Sequence, residues 1–144
     1  MKQCITIYLT GSGIFRGRDN DWRKDAISMF YKIAKYDDMK ICIVNPSDFV
    51  HKNGIADRQI KSFLFNKIKY SDIMLCNLQD TESDPYVASE IQFAVDHCIP
   101  IIGVRGTNSC TWLEYSDCDA VFDNLTNAVE YIKHFYMLSM RPLV

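Results

Sequence analysis

What this chain lacks narrows its class before any motif is considered. No block of lysine and arginine exceeds two residues, and the formal net charge is −2. A nucleic-acid groove or an anionic membrane surface calls for a basic stripe, so neither a nucleic-acid polymer nor a membrane is an expected partner. No apolar run approaches the roughly 20 residues that span a bilayer, and the N-terminus carries no secretory signal pattern. None of the six cysteines falls in a CxxC, and none is paired with histidine at zinc-ligand spacing. No metal is therefore expected. The chain also lacks internal repeats, low-complexity tracts and linkers, which argues against a second domain.

What is present fits a single folded unit. Hydrophobic residues make up 48% and charged residues 24% of 144 positions, enough apolar material to bury one core and too little charge for disorder. Cys4, Cys42 and Cys76 lie within or beside apolar runs that read as buried strands, where a thiol behaves as a small hydrophobe. A reducing cytoplasm is the expected setting.

Four short runs rich in Ile, Val and Leu, at Ile5–Leu9, Ile41–Val44, Ile73–Leu78 and Ile99–Val104, lack clean alternation. Strands covered on both faces of a parallel sheet read this way. Ala120–Phe122 is a weaker fifth. Helical spacing fills the gaps at Asp21–Tyr36, Asp57–Lys69, Pro85–His97 and Leu125–Tyr136, and Asp84-Pro85 supplies an N-cap followed by Pro at the first helical position. The alternation predicts one α/β domain over 1–144, doubly wound and flavodoxin- or Rossmann-like, with about five parallel strands flanked by helices. The apolar tail Met137–Val144 is expected to dock on a neighbouring subunit.

Open α/β sheets bind ligands outside the carboxyl ends of their strands. That rule selects Thr10-Gly11-Ser12-Gly13 with Arg16-Gly17-Arg18-Asp19, then Asn45 to Asp48, Gln79 to Asp84, and Arg105 to Asn108. Gly11-Ser12-Gly13 opens like a dinucleotide fingerprint, but Arg16 stands where the third glycine belongs, and the P-loop pattern is absent. The loop's free N–H groups and two arginines suit a phosphate or a ribose hydroxyl; the alternative is a glycine turn with solvated arginines. Glu90 lies early in the third helix, at the edge of the Val87–Ile91–Ala94 stripe. It reads as a crevice carboxylate able to act as nucleophile or acid/base group, or else as a solvent-facing helix glutamate. Asp84 reads as an N-cap and Tyr8 as a core aromatic, unless the three converge at the strand ends.

Ile7 to Ser12, Lys67 to Leu75, and Asp84 through Glu90 to Ile102 resemble the nucleoside 2-deoxyribosyltransferase superfamily, which includes the 2′-deoxynucleoside 5′-phosphate N-hydrolases and CMP hydrolases. Asp19 to Arg23 also resembles a Trp-Arg signature of one branch. The resemblance implies cleavage of an N-glycosidic bond with Glu90 as nucleophile, Tyr8 hydrogen-bonded to it, and Asp84 as the acidic residue six positions earlier. Gly11, Ser12, Gly13, Arg16, Arg18 and Tyr86 would bind the substrate. Asp at position 84 is closer to the transferases, whereas the glycine–arginine loop is closer to the hydrolases' 5′-phosphate loop. No cofactor is implied, and the expected assembly is a homodimer or a higher even-numbered oligomer.

Several positions depart from the family's pattern. Leu64 stands where many members carry an Asp near the base. Tyr86 and Ala88 replace glycines four and two residues before the nucleophile, and Gln92 replaces one two residues after it. Ala120 stands for an asparagine that transferases bring in from a neighbouring subunit. These leave open a nucleotide-binding or sensing domain that keeps the pocket without strong catalysis. A flavodoxin-like FMN domain would also fit the fold class, but fold alone licenses no function.

Overall fold

The computed structural model describes residues 4–12, 21–37, 39–49 and 57–138. Within them the chain runs β1 (Cys4–Gly11), α1 (Asp21–Asp37), β2 (Lys40–Val44), α2 (Asp57–Lys69), β3 (Ile73–Asn77), α3 (Pro85–Asp96), β4 (Ile101–Val104), β5 (Ala120–Phe122) and α4 (Leu125–Tyr131). A π-helical extension over Ile132–Leu138 prolongs α4. No helix among the described residues is long and apolar enough to cross a membrane.

The five strands form one all-parallel sheet in the order β2-β1-β3-β4-β5. Right-handed crossovers dictate where the helices go. The step from β1 to β2 runs one way across the sheet, and the steps from β2 to β3 and from β3 to β4 run the other way. α1 therefore covers one face and α2 and α3 cover the opposite face. α4 joins α1, so that Ala26, Phe30, Ile33, Val129 and Ile132 pack on Ile5, Ile7, Leu9, Ile73 and Leu75. On the other face Ile68, Val87, Ile91 and Ala94 pack on Tyr8, Met74, Cys76 and Ile101. The direction of winding reverses between β1 and β3, and that switch point opens the crevice where such sheets take ligands.

Several expectations need correction. β1 runs on through Thr10 and Gly11, so these two residues belong to the strand and not to the loop after it. Ile99 and Pro100 precede β4, because the Ile99 N–H donates to the Ala94 carbonyl and closes the end of α3 instead. Cys76 is buried, but Cys4 and Cys42 are exposed on β1 and β2, with sulfurs 3.5 Å apart. β2 is an edge strand and β1 beside it is covered incompletely at that end, so two positions that read as core meet solvent. Gly13, Arg16, Arg18 and the tail beyond Leu138 lie outside the described residues.

Candidate active site

The site begins with the pleat of β1. Side chains two apart share a face, so Tyr8 and Thr10 both point toward α3. In α3, Val87, Glu90, Ile91 and Ala94 are buried together at the i, i+3, i+4, i+7 spacing of a core stripe. Glu90 thus sits within the apolar stripe and not beside it, with no accessible surface at all. The solvent-facing alternative is excluded. The Tyr8 hydroxyl donates to Glu90 Oε2, and the Thr10 hydroxyl donates to Oε1 at 2.9 Å. Each carboxylate oxygen has a hydroxyl of its own.

These contacts set the charge state. Burial pushes the Glu90 carboxyl up from 4.5 to about 7, against the pull of the Tyr8 and Thr10 hydroxyls and the positive charge of Arg23, while Asp84 adds slightly to the rise. Burial, and then the Glu90 charge, hold the Tyr8 phenol well above its ordinary value, so it remains a donor at neutral pH. Near pH 7 Glu90 is poised between its two forms.

The third helix is started by Asp84, whose Oδ1 accepts from the backbone N–H groups of Tyr86 at 3.1 Å and Val87 at 3.3 Å. Asp84 is therefore an N-cap, with its charge directed toward Glu90 from the same helix end. Tyr86 is half-buried, and burial followed by the charges of Glu90 and Asp84 raises its phenol. Both residues interact electrostatically with Glu90. Gly11 ends β1 where the Trp22 ring crosses: a Cβ on it would lie 3.1 Å from the indole. The Ser12 hydroxyl donates to the Gln79 carbonyl at 2.9 Å, tying the residue after β1 to the segment that follows β3.

The loops after β3 and β4 are locked together. Asp80 N–H donates to Thr107 O at 2.8 Å and Glu82 N–H to Asn108 O at 3.1 Å. The Cys110 N–H donates to the Thr81 hydroxyl at 3.0 Å. Asp80 and Asn108 adopt left-handed conformations, with φ of 58° and 54°, a region these two residue types tolerate better than most.

Two residues at the site were given no role from sequence, although Thr10 lay in a selected strand-end stretch and Arg23 in the Trp-Arg signature. Thr10 could have been found, because a threonine two places after Tyr8 on a strand must share its face. Arg23, in the first turn of α1, has 1% of its surface exposed. Its Nη2 donates to the Gly11 carbonyl at 3.1 Å, and its guanidinium lies 4.8 Å from the centre of the Trp22 ring. Leu64 is fully buried in α2, and Ala120 opens the edge strand β5. Among the described residues no group of three or more His, Cys, Asp or Glu is placed to hold a metal ion.

No protein-family model matches the chain, and no curated protein matches it in sequence. Solved structures do match it. A conserved protein from Enterococcus faecalis V583 superposes with a TM-score of 0.64 at 19% identity, over 91% of this chain and 98% of that one. A 2-deoxyribosyltransferase from Bacillus psychrosaccharolyticus gives 0.61 at 17% identity, over 96% and 99%. A CMP N-glycosidase from Clostridium botulinum gives 0.54 at 11% identity, over 89% and 98%. With the parallel sheet and its strand-end crevice already in place, these likenesses show that the chain has the nucleoside 2-deoxyribosyltransferase-like fold.

Proposed function

We propose that this protein cleaves the N-glycosidic bond of a nucleoside or nucleoside 5′-monophosphate, with Glu90 as the nucleophile. One observation carries the reading: a fully buried carboxylate, each oxygen held by a hydroxyl from β1, at the strand-end crevice. A glutamate buried for packing alone would be a poor choice in that stripe. The 2-deoxyribosyltransferase and the CMP N-glycosidase of the same fold support the substrate class.

In this reading a Glu90 oxygen attacks C1′ and its electron pair forms the ester bond. The C1′–N bond breaks, its pair leaves on the base nitrogen, and the base takes up a proton from solvent. The sugar passes through an oxocarbenium-like state, and the charge that was costly to bury disappears into the ester. Tyr8 and Thr10 fix the carboxylate while it attacks. Water then releases the sugar, or a second base takes it. Asp84 holds the helix start that carries Glu90, while Gly11, Ser12, Gly13, Arg16, Arg18 and Tyr86 bind the sugar and its 5′ end. Catalysis is further assigned to a homodimer or a higher even-numbered oligomer, for which light scattering at micromolar concentration is the test.

A second reading, a nucleotide-binding or sensing domain without turnover, is favoured by Leu64, whose fully buried side chain offers the leaving base no proton. The deciding experiment incubates wild type and Glu90→Gln with a panel of nucleosides and 5′-monophosphates, with and without a second base. Free base alone marks hydrolysis, and exchange marks transfer. A 2-fluoro-2-deoxyribosyl substrate should leave a sugar adduct on the peptide spanning Glu90. An unmodified peptide, together with a Glu90→Gln variant that still turns over, removes Glu90 from the mechanism. Binding without turnover leaves the sensing reading.

A further inference from the structure

Arg23 is a buried arginine that the protein leaves partly unused. Its Nη2 bonds the Gly11 carbonyl, but Nε and Nη1 are buried and have no hydrogen-bond partner among the described residues. Native structures rarely tolerate that, and the exceptions concentrate where function needs them. No carboxylate among the described residues forms an ion pair with it; the strongest negative influence on its charge is that of Glu90. Gly11, to which it is anchored, directly follows Thr10, which holds Glu90 Oε1 at 2.9 Å. The guanidinium and the carboxylate are thus fixed to neighbouring residues of one strand, both almost wholly out of water.

We propose that Arg23 is a positioning residue, supplying the buried positive charge against which Glu90 stands as a carboxylate ready to attack. The inference rests on the reading of Glu90 as nucleophile. Among the described residues the groups that act on Glu90 are Tyr8 and Thr10 from β1, Asp84 from the N-cap of α3 and Arg23 from α1, and Glu90 in turn acts on Tyr86 of α3 and Cys76 of β3. Among these Arg23 is the one positive charge. Tyr8 and Thr10 can donate hydrogen bonds but cannot offset a charge, and Asp84 works against ionisation. Burial lowers Arg23 itself only to about 10, so it stays charged across the neutral range. A contact with the Gly11 carbonyl instead of with Glu90 leaves both carboxylate oxygens to the hydroxyls that orient them. Arg23 acts through space.

The test needs no substrate. Protein labelled with ¹³C at the glutamate carboxyl is titrated by NMR, with the Glu90 resonance assigned by its loss in Glu90→Gln. In Arg23→Met the Glu90 midpoint should move up by about one unit or more relative to wild type, while Arg23→Lys should keep it near the wild-type value. A Glu90 midpoint unchanged in folded Arg23→Met overturns the proposal. If Arg23→Met does not fold, Arg23→Gln takes its place. A Lys variant that shifts as far as the uncharged ones also overturns the proposal, because geometry and not charge would then be responsible. Where turnover is found, the acid limb of kcat/KM should move with the NMR midpoint. A panel without turnover removes the nucleophile reading, yet the titration still decides whether Arg23 sets the Glu90 charge.

Discussion

Glu90 occupies a place in α3 that helical spacing reserves for an apolar side chain, and pH sets what that costs. Its folded value of about 7 lies above the 4.5 of an unconstrained carboxyl. The native state therefore holds a proton that the unfolded chain releases between those values. Stability falls as pH rises through the window and levels off above it, with about 3 kcal/mol at stake at most. Glu90→Gln keeps the shape, keeps an acceptor for Tyr8 and removes the charge. The variant should be more stable than wild type at pH 8 by about 1–3 kcal/mol, with the gap closing near pH 5, as urea denaturation at the two pH values would read. An equal gap at both pH values would mean that the carboxylate is not desolvated as described. The pairing of Tyr8 with Glu90 was legible through the family resemblance, and Thr10 was available from strand periodicity. Arg23 entered only as part of a Trp-Arg signature, without a role, because an arginine on a helix's first turn looks solvated until the helix is seen crossing the end of β1.

At the scale of elements, what was legible was what periodicity reports. β5 and α2 have the bounds that their patterns suggest, and α1 and α3 are within one residue. Strand ends were less legible, because they depend on hydrogen bonds that compete: Ile99 is apolar and β-branched but completes the α3 terminus. The locking of the two crevice loops was invisible in sequence, since it depends on backbone groups that every residue carries. Gly106 reports that lock. A Cβ there would lie 2.7 Å from the Gln79 Cβ and 2.9 Å from its Cα, against backbone that cannot swing aside. Gly106→Ala should force the loops after β3 and β4 apart and cost about 1–3 kcal/mol in urea denaturation, as overpacking does. It should also weaken ligand binding more than a surface change of equal stability cost. A neutral substitution would show that the loops are free to separate.

For the whole molecule, strand and helix alternation made the doubly wound class readable, whereas the strand order came only from the structure. That order matters for function because it places the winding reversal between β1 and β3, beside Tyr8, Thr10 and Glu90. A ligand bridging that crevice touches both halves of the sheet and binds only the folded chain. Binding to the native state alone stabilises by RT ln(1 + [L]/Kd), about 2.7 kcal/mol at a hundredfold excess over Kd. For a chain of 144 residues this corresponds to a rise in Tm of roughly 9 °C. The measurement is best made on Glu90→Gln, which cannot consume the ligand in the proposed mechanism. Nucleosides and 5′-monophosphates should raise its Tm, and free bases or ribose phosphate alone should raise it much less, because neither spans the crevice. Phosphate recognition by Arg16 and Arg18 would appear as a larger rise with the monophosphate than with the nucleoside at equal concentration. If no nucleoside or nucleotide moves the Tm at millimolar concentration, both the glycosidase and the sensing reading fail together, since each requires the crevice to hold the same ligand.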